Sequence, residues 1–202
     1  MKRFAKYCVL LMVVALCLSV MPAYAQNVEV GKGLSLAFGM YRPSDSDIKD
    51  GLGSNWFSAN LSYKLSETDK TESYVGLGYI KAEGKSWTDT YEVGEAIVTD
   101  KTDTDGHIIP LTYTIKTKPQ GMSKFYYGGG GGIFFSKLEA NSSVFGKGDV
   151  SDTLFGVNLL AGVKFSQKLS LELQYTRMLN DVKVDEEDYN LSGLSLSLSG
   201  SF

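Results

Sequence analysis

The chain has one histidine, His107. Acid–base or nucleophilic chemistry around it would recruit Asp105 and Ser151, because an imidazole between a carboxylate and a hydroxyl can pass a proton. Nothing in their spacing brings the three together. The plain alternative is a solvated imidazole after an Asp105-Gly106 turn. The glycine run 128–132 looks like a phosphate-cradling loop, but it lacks the closing Gly-Lys-Ser/Thr, and no helix follows to cap an anion. Within a strand, such a run lets the backbone bend sharply. Asp45, Asp47 and Asp50 imitate part of a calcium loop. The third carboxylate is one residue late, and Trp56 stands where the bidentate Glu belongs. Asp103, Asp105 and the Asp185-Glu-Glu-Asp188 run are also incomplete and read as solvated loop charges. No metal ligand, catalytic residue or cofactor is assigned.

A different set of charges is more informative. Lys64, Lys116 and Lys164 each fall near the end of a segment of alternating polarity, on the small-residue face. Glu172 lies early in the following segment, on the corresponding face. If that face is enclosed, these charges must pair or stay hydrated. They are expected to form a Lys/Glu cluster that plugs or gates one end of the enclosure. The alternative is that they lie beyond it, in solvent.

The segments themselves have period two. The last is Leu194-Ser-Leu196-Ser-Leu198-Ser-Gly200-Ser-Phe202, with Leu and Phe on one face and Ser on the other. A soluble sheet usually places charged residues opposite its apolar face. Small neutral residues instead suit the bore of a narrow barrel whose outside meets lipid. Eight such strands are predicted, at about 30–42, 55–65, 73–83, 108–117, 124–139, 153–165, 169–178 and 194–202. Their lengths suit a tilted bilayer crossing. The parity of the fifth is ambiguous because of its glycines. The fold class expected is all-β: an eight-stranded antiparallel up-and-down transmembrane β-barrel.

The connections alternate in length. Residues 43–54, 84–107, 140–152 and 179–190 are long and polar, whereas 66–72, 118–123 and 166–168 are short. Up-and-down outer-membrane barrels place long loops outside and short turns in the periplasm. In the longest loop, segments 87–93 and 96–101 alternate around Gly94 and suggest a small projecting hairpin. Trp56, Phe57, Tyr79, Phe155 and Tyr175 fall toward the outer strand ends, and Tyr63, Phe165 and Phe202 toward the inner ends, as in interfacial girdles.

The remaining composition agrees. Lys2, Arg3 and Lys6 precede an apolar run and an Ala23-x-Ala25 site, so residues 1–25 read as a signal peptide and 26–202 as the barrel domain. Both cysteines, Cys8 and Cys17, lie in that leader, which leaves no disulfide for the rest. Residues 26–202 hold 17 Lys+Arg against 23 Asp+Glu, a balance that repels nucleic acid.

Together these features resemble the small OmpA/OmpX/OmpW-type bacterial outer-membrane barrels. The segment from His107 through Pro110 to Lys116, followed by the Phe125-Tyr-Tyr-Gly run, is similar to a central strand pair of that superfamily. The resemblance implies residence in the bacterial outer membrane, contact with its lipids and lipopolysaccharide, and a C-terminal Phe202 read by the barrel-assembly machinery. It implies a structural or surface-interaction role, with residues 84–107 as the place for a surface ligand. A narrow conduit for small solutes, hydrophobic ones included, is the alternative. A lipid-A-modifying enzyme is a minor one, since the His-x-Ser of a deacylase is absent: His107 is followed by two isoleucines. A peptidoglycan-binding domain is not expected. A soluble lipocalin-like barrel would need a charged exterior where this chain has Ser, Gly and Asn.

Overall fold

The computed structural model describes residues 33–94, 96–120, 124–184 and 187–202. The expected leader, residues 1–25, lies outside the described residues, as do the first residues expected of strand one. The elements in chain order are β1 (Leu34–Pro43), α1 (Ser46–Leu52), β2 (Trp56–Glu67), β3 (Thr71–Lys81), β4 (Ser86–Val93), β5 (Ala96–Thr117), β6 (Phe125–Ser142), β7 (Gly146–Lys164), β8 (Leu169–Met178), β9 (Val182–Val184), β10 (Glu187–Tyr189) and β11 (Gly193–Ser201).

Eight of these strands close a ring. The pairing runs β3-β2-β1-β11-β8-β7-β6-β5, and β5 returns to pair with β3, all antiparallel. Closure leaves the ring without an open edge, as a lipid core demands, and the closing β3–β5 ladder is interrupted at Gly78-Tyr79 opposite Ile109-Pro110. The orientation follows the alternation. Leu196 and Leu198 are 50% and 48% exposed on the outside, with Ser195 and Ser197 turned inward. Phe38, Met40, Leu77, Tyr113, Val157 and Leu173 share that exterior on neighbouring strands. The glycine run resolves too: even-numbered residues face in, because Tyr126 and Phe134 at its two ends are buried while Phe125 and Tyr127 are exposed. A Cβ on Gly128, Gly130 or Gly132 would fall within 2.3 Å of a carbonyl oxygen of β5, so that wall closes only with glycine there.

The polar connections are more ordered than their composition suggests. Residues 43–54 contain α1, whose N-cap Asp45 accepts from the Asp47 and Ile48 amides. The expected hairpin exists as β4 with the outer arm of β5, turning at Gly94 (φ 66°). β5 is one continuous strand of 22 residues from that hairpin into the barrel. Asp105-Gly106 is therefore strand, not a turn, and His107 sits in a ladder between Lys81 and Lys137. β6 and β7 likewise run past the barrel as one long hairpin, which leaves only a tight turn of the expected loop 140–152. β9 and β10 form a small hairpin of their own.

Candidate functional site

The bore is divided into three zones by the side chains that alternation turns inward. At the outer end it is dry. Tyr41, Trp56, Ile80, Ile108, Phe134, Leu154 and Met178 from the barrel strands pack with Ile48 and Leu52 of α1 and with Val182 and Leu191 of the β8–β11 connection. Trp56, Ile108 and Leu154 are 0% exposed. The Trp56 indole N–H donates to the Gly53 carbonyl at 2.8 Å, and the Tyr41 hydroxyl to the Leu191 carbonyl at 2.5 Å. This apolar stopper corrects two expectations. The bore is not uniformly small and polar, and Trp56 faces inward rather than joining an outer girdle. Its neighbour Phe57 takes the lipid-facing side.

The middle zone is a polar cavity of about 90 Å³ lined by Asn60, Thr112, Thr114, Gln174, Thr176 and Ser197, among others. Such a volume has room for a few ordered waters. Buried Asn158 nearby has no hydrogen-bond partner at either side-chain polar atom among the described residues. A buried amide in that state calls for water.

The third zone, at the end with the short turns, is charged. Lys116 and Glu172 meet there at 2.5 Å, and the Tyr126 hydroxyl donates to the same carboxylate at 3.1 Å. The Lys116 ammonium lies 5.0 Å from the Tyr74 ring centre and 5.1 Å from that of Tyr126, a cation held between two aromatic faces. Lys64 and Lys164 do not reach Glu172. They gather instead around Glu72, which is 4% exposed and belongs to the segment 66–72 expected as a turn. Its Oε1 lies 2.7 Å from Lys118 Nζ, 3.7 Å from Lys164 Nζ and 3.9 Å from Lys64 Nζ. The Tyr74 hydroxyl donates to its other oxygen at 2.9 Å. Glu67 takes Lys64 at 2.7 Å and Lys118 at 3.2 Å.

The four residues expected to cluster therefore occupy one mouth, but as two linked groups rather than one. Glu72, Glu67, Lys118, Tyr74 and Tyr126 complete them. A signal for Glu72 and Tyr74 was present: the even parity of Gly76 and Gly78 continues downward to both. Below the Lys116–Glu172 layer a vestibule of about 530 Å³ opens past Lys64, Lys164, Ser166, Lys168 and Phe202.

The other candidates separate. His107 stacks on Tyr79 with ring centres 5.9 Å apart. Ser151 lies two strands away across Lys137, roughly 10 Å at the usual strand spacing. The Asp105 carboxylate is paired with Lys81. The three do not form a proton relay. Among the described residues no three His, Cys, Asp or Glu side chains are placed to hold a metal ion.

Beyond the barrel, β4, the outer arm of β5 and the ends of β6 and β7 continue as a four-stranded antiparallel sheet. Within it β4 and the outer arm of β7 are edges, each paired on one side only among the described residues. Trp87, Tyr91, Ile97, Val144 and Phe145 are exposed on this extension, Phe145 at 79%. Asp100 ties its turn together. Burial favours a neutral Asp100, but hydrogen bonds from the Ser142 hydroxyl (2.8 Å), the Ser143 hydroxyl (2.9 Å) and the Val144 N–H (3.1 Å) outweigh it and hold the carboxyl below its usual range.

A closed ring of eight strands with a continuous apolar exterior is a transmembrane β-barrel. The chain belongs to the outer-membrane β-barrel family: the model of the outer membrane protein beta-barrel domain matches residues 8–202. A bacterial outer-membrane location follows from that membership. Its fold is similar to that of Ail, the attachment invasion locus protein of Yersinia pestis. The identity is 13% over 84% of this chain and 98% of Ail, with a TM-score of 0.54. Ail in complex with the heparin analogue sucrose octasulfate gives 14% identity over the same shares, with a TM-score of 0.52. Neisserial surface protein A aligns at 15% identity over 84% of this chain and 96% of its own, with a TM-score of 0.48. No curated protein matches the chain in sequence.

Proposed function

We propose that this protein is a closed, non-enzymatic barrel that anchors an extracellular interaction sheet in the outer membrane. The observation that carries the reading is the sheet β4–β7, which extends beyond the bore and, among the described residues, has two unpaired edges, the outer arm of β7 and β4, the latter carrying exposed Trp87 and Tyr91. An open edge with aromatic neighbours is suited to adding a strand from another polypeptide. Likeness to Ail, whose name records attachment and invasion, supports the same class of role.

The charge of the sheet narrows the partner. Residues 84–107 hold six acidic residues against two lysines. A sulfated sugar of the kind bound to Ail would be repelled there, so the partner favoured is a basic polypeptide segment. The apolar stopper argues against the conduit alternative, since a bore closed by Trp56, Ile108 and Leu154 leaves no wetted path.

The reading is tested by replacing residues 86–103 with a short Gly/Ser turn and displaying both forms on cells. The intact protein is expected to retain cells on immobilised basic matrix proteins at least tenfold better than the trimmed form, with no preference for heparin. Equal retention by the two forms, or retention on heparin alone, defeats it.

A further inference from the structure

The charged mouth is out of balance in a specific way. Four ammonium groups, those of Lys64, Lys116, Lys118 and Lys164, share three carboxylates, those of Glu67, Glu72 and Glu172. Three of the ammoniums converge on a single oxygen, Glu72 Oε1. Lys118 and Lys64 divide their contacts between Glu72 and Glu67, and Lys116 takes Glu172. Lys164 is left over. Its nearest carboxylate oxygen is 3.7 Å away, too far for a hydrogen bond, and no hydrogen-bond acceptor reaches it among the described residues. Its other neighbour is the Tyr126 ring, 5.8 Å from the ammonium.

That surplus cation faces space rather than protein. Lys164 and Lys168 line the vestibule of about 530 Å³, together with Lys64, Ser170 and Ser199. Lys168 has no carboxylate within 4.0 Å among the described residues. The lysines of this wall, Lys64, Lys116, Lys164 and Lys168, outnumber its carboxylates, Glu67 and Glu72, so a net positive potential is focused into the cavity, and hydroxyls supply further donors. An anion placed there would take up the unused donors of Lys164 and relieve the mutual repulsion of the ammoniums gathered on Glu72.

We propose that the vestibule is an oxyanion site, which takes a phosphate or carboxylate group between Lys164 and Lys168 at the short-turn mouth of the barrel. In the family's orientation this mouth faces the periplasm and the inner leaflet. The group can come from a soluble periplasmic anion or from a phospholipid headgroup. The site is independent of the extracellular sheet, so failure of one leaves the other standing.

The test uses residues 26–202 folded in detergent micelles and titrated with inorganic phosphate, at constant ionic strength held with chloride. The amide resonances of Ser166, Lys168 and Ser199 are followed. Saturable shifts are expected, with the apparent dissociation constant raised at least fivefold in Lys164→Met and within twofold of wild type in Lys147→Met, at the far end of β7. Lys168→Met, a change at an exposed turn that leaves the packed layer alone, is expected to weaken binding at least threefold and guards against misfolding of Lys164→Met. Repeating the titration in nanodiscs with and without phosphatidylglycerol separates the sources. Loss of the phosphate response only with the anionic lipid assigns a headgroup, and an unchanged response assigns a solute. Shifts that never saturate, or equal affinity in wild type and both mouth variants, overturn the proposal.

Discussion

The Tyr126 ring lies against Gly162 across the β6–β7 pair, so closely that a Cβ at position 162 would come within 2.2 Å of Tyr126 Cζ. The same relation recurs higher in the bore, where Phe134 covers Gly156 and Tyr41 covers Gly193, with Cβ approaches of 2.8 and 2.5 Å. Large residues fill a narrow barrel only where a neighbouring strand gives up its side chain. Gly162→Ala is therefore expected to cost about 1–3 kcal/mol, the usual penalty of overpacking. Gly148→Ala, with nothing within 4 Å of its Cβ, is expected to stay within about 0.5 kcal/mol. Reversible urea unfolding in detergent or lipid measures both. Equal midpoints for the two variants would contradict the packing described.

Glu172→Gln keeps the shape of the charged layer but leaves Lys116 without its counter-ion between Tyr74 and Tyr126. A loss of about 3 kcal/mol is expected, because breaking one half of an enclosed pair leaves a charge uncompensated. The double variant Lys116→Met with Glu172→Leu is expected to recover most of it. If the double variant is as unstable as the single one, the cost lies elsewhere than in the stranded ammonium.

Conduction separates the charged layer from the stopper. In planar bilayers Glu172→Ala is expected to give the same closed trace as wild type, because the seal of Trp56, Ile108 and Leu154 lies above it. Trp56→Ala is expected to lose about 3–5 kcal/mol of stability as a large buried ring is removed. It should remain closed as well, with Ile108, Phe134, Leu154 and Met178 still in place. Discrete openings in Glu172→Ala would show that the charges, not the apolar zone, control the bore.

The extracellular turn has a pH dependence of known sign. Asp100 is held ionised by Ser142, Ser143 and the Val144 N–H, so its folded pKa lies below the unfolded value of about 3.9. Its contribution is therefore complete above that unfolded value and is lost as pH falls through the lower, folded one. Amide-exchange protection at Val144, whose N–H donates to Asp100, is expected to persist at pH 4 and to fade only on further acidification. Asp100→Asn is expected to show reduced protection already at neutral pH. Protection in the Asn variant equal to wild type would show that the turn holds without the carboxylate.

What could be read in advance was whatever depends on period two. The Leu and Ser faces of 194–202 named their own environments, since successive strand residues point to opposite sides and the pattern admits one register against lipid. The same rule placed Lys64, Lys116, Lys164 and Glu172 inside. The rule reaches only as far as the expected strand limits, and Glu72 and Lys118 fall just past them, in segments that read as turns. Trp56 and His107 differ: parity within 55–65 turns Trp56 inward beside outward Phe57, and only its aromatic type at a strand end suggests a girdle, whereas His107 precedes the expected strand 108–117, and composition does not mark that this strand begins earlier.

Alternation along the chain thus determined the number of barrel strands, their faces and the class of protein. Only the closed ring decided which inward side chains meet. Register between strands far apart in sequence brings Lys116 to Glu172 and gathers Lys64, Lys118 and Lys164 around Glu72. Barrel closure likewise turns Tyr41, Ile80, Phe134 and Met178 into a single stopper. Pairing across a bore depends on strand stagger and curvature, which are properties of the whole sheet and are not written in any one segment of it.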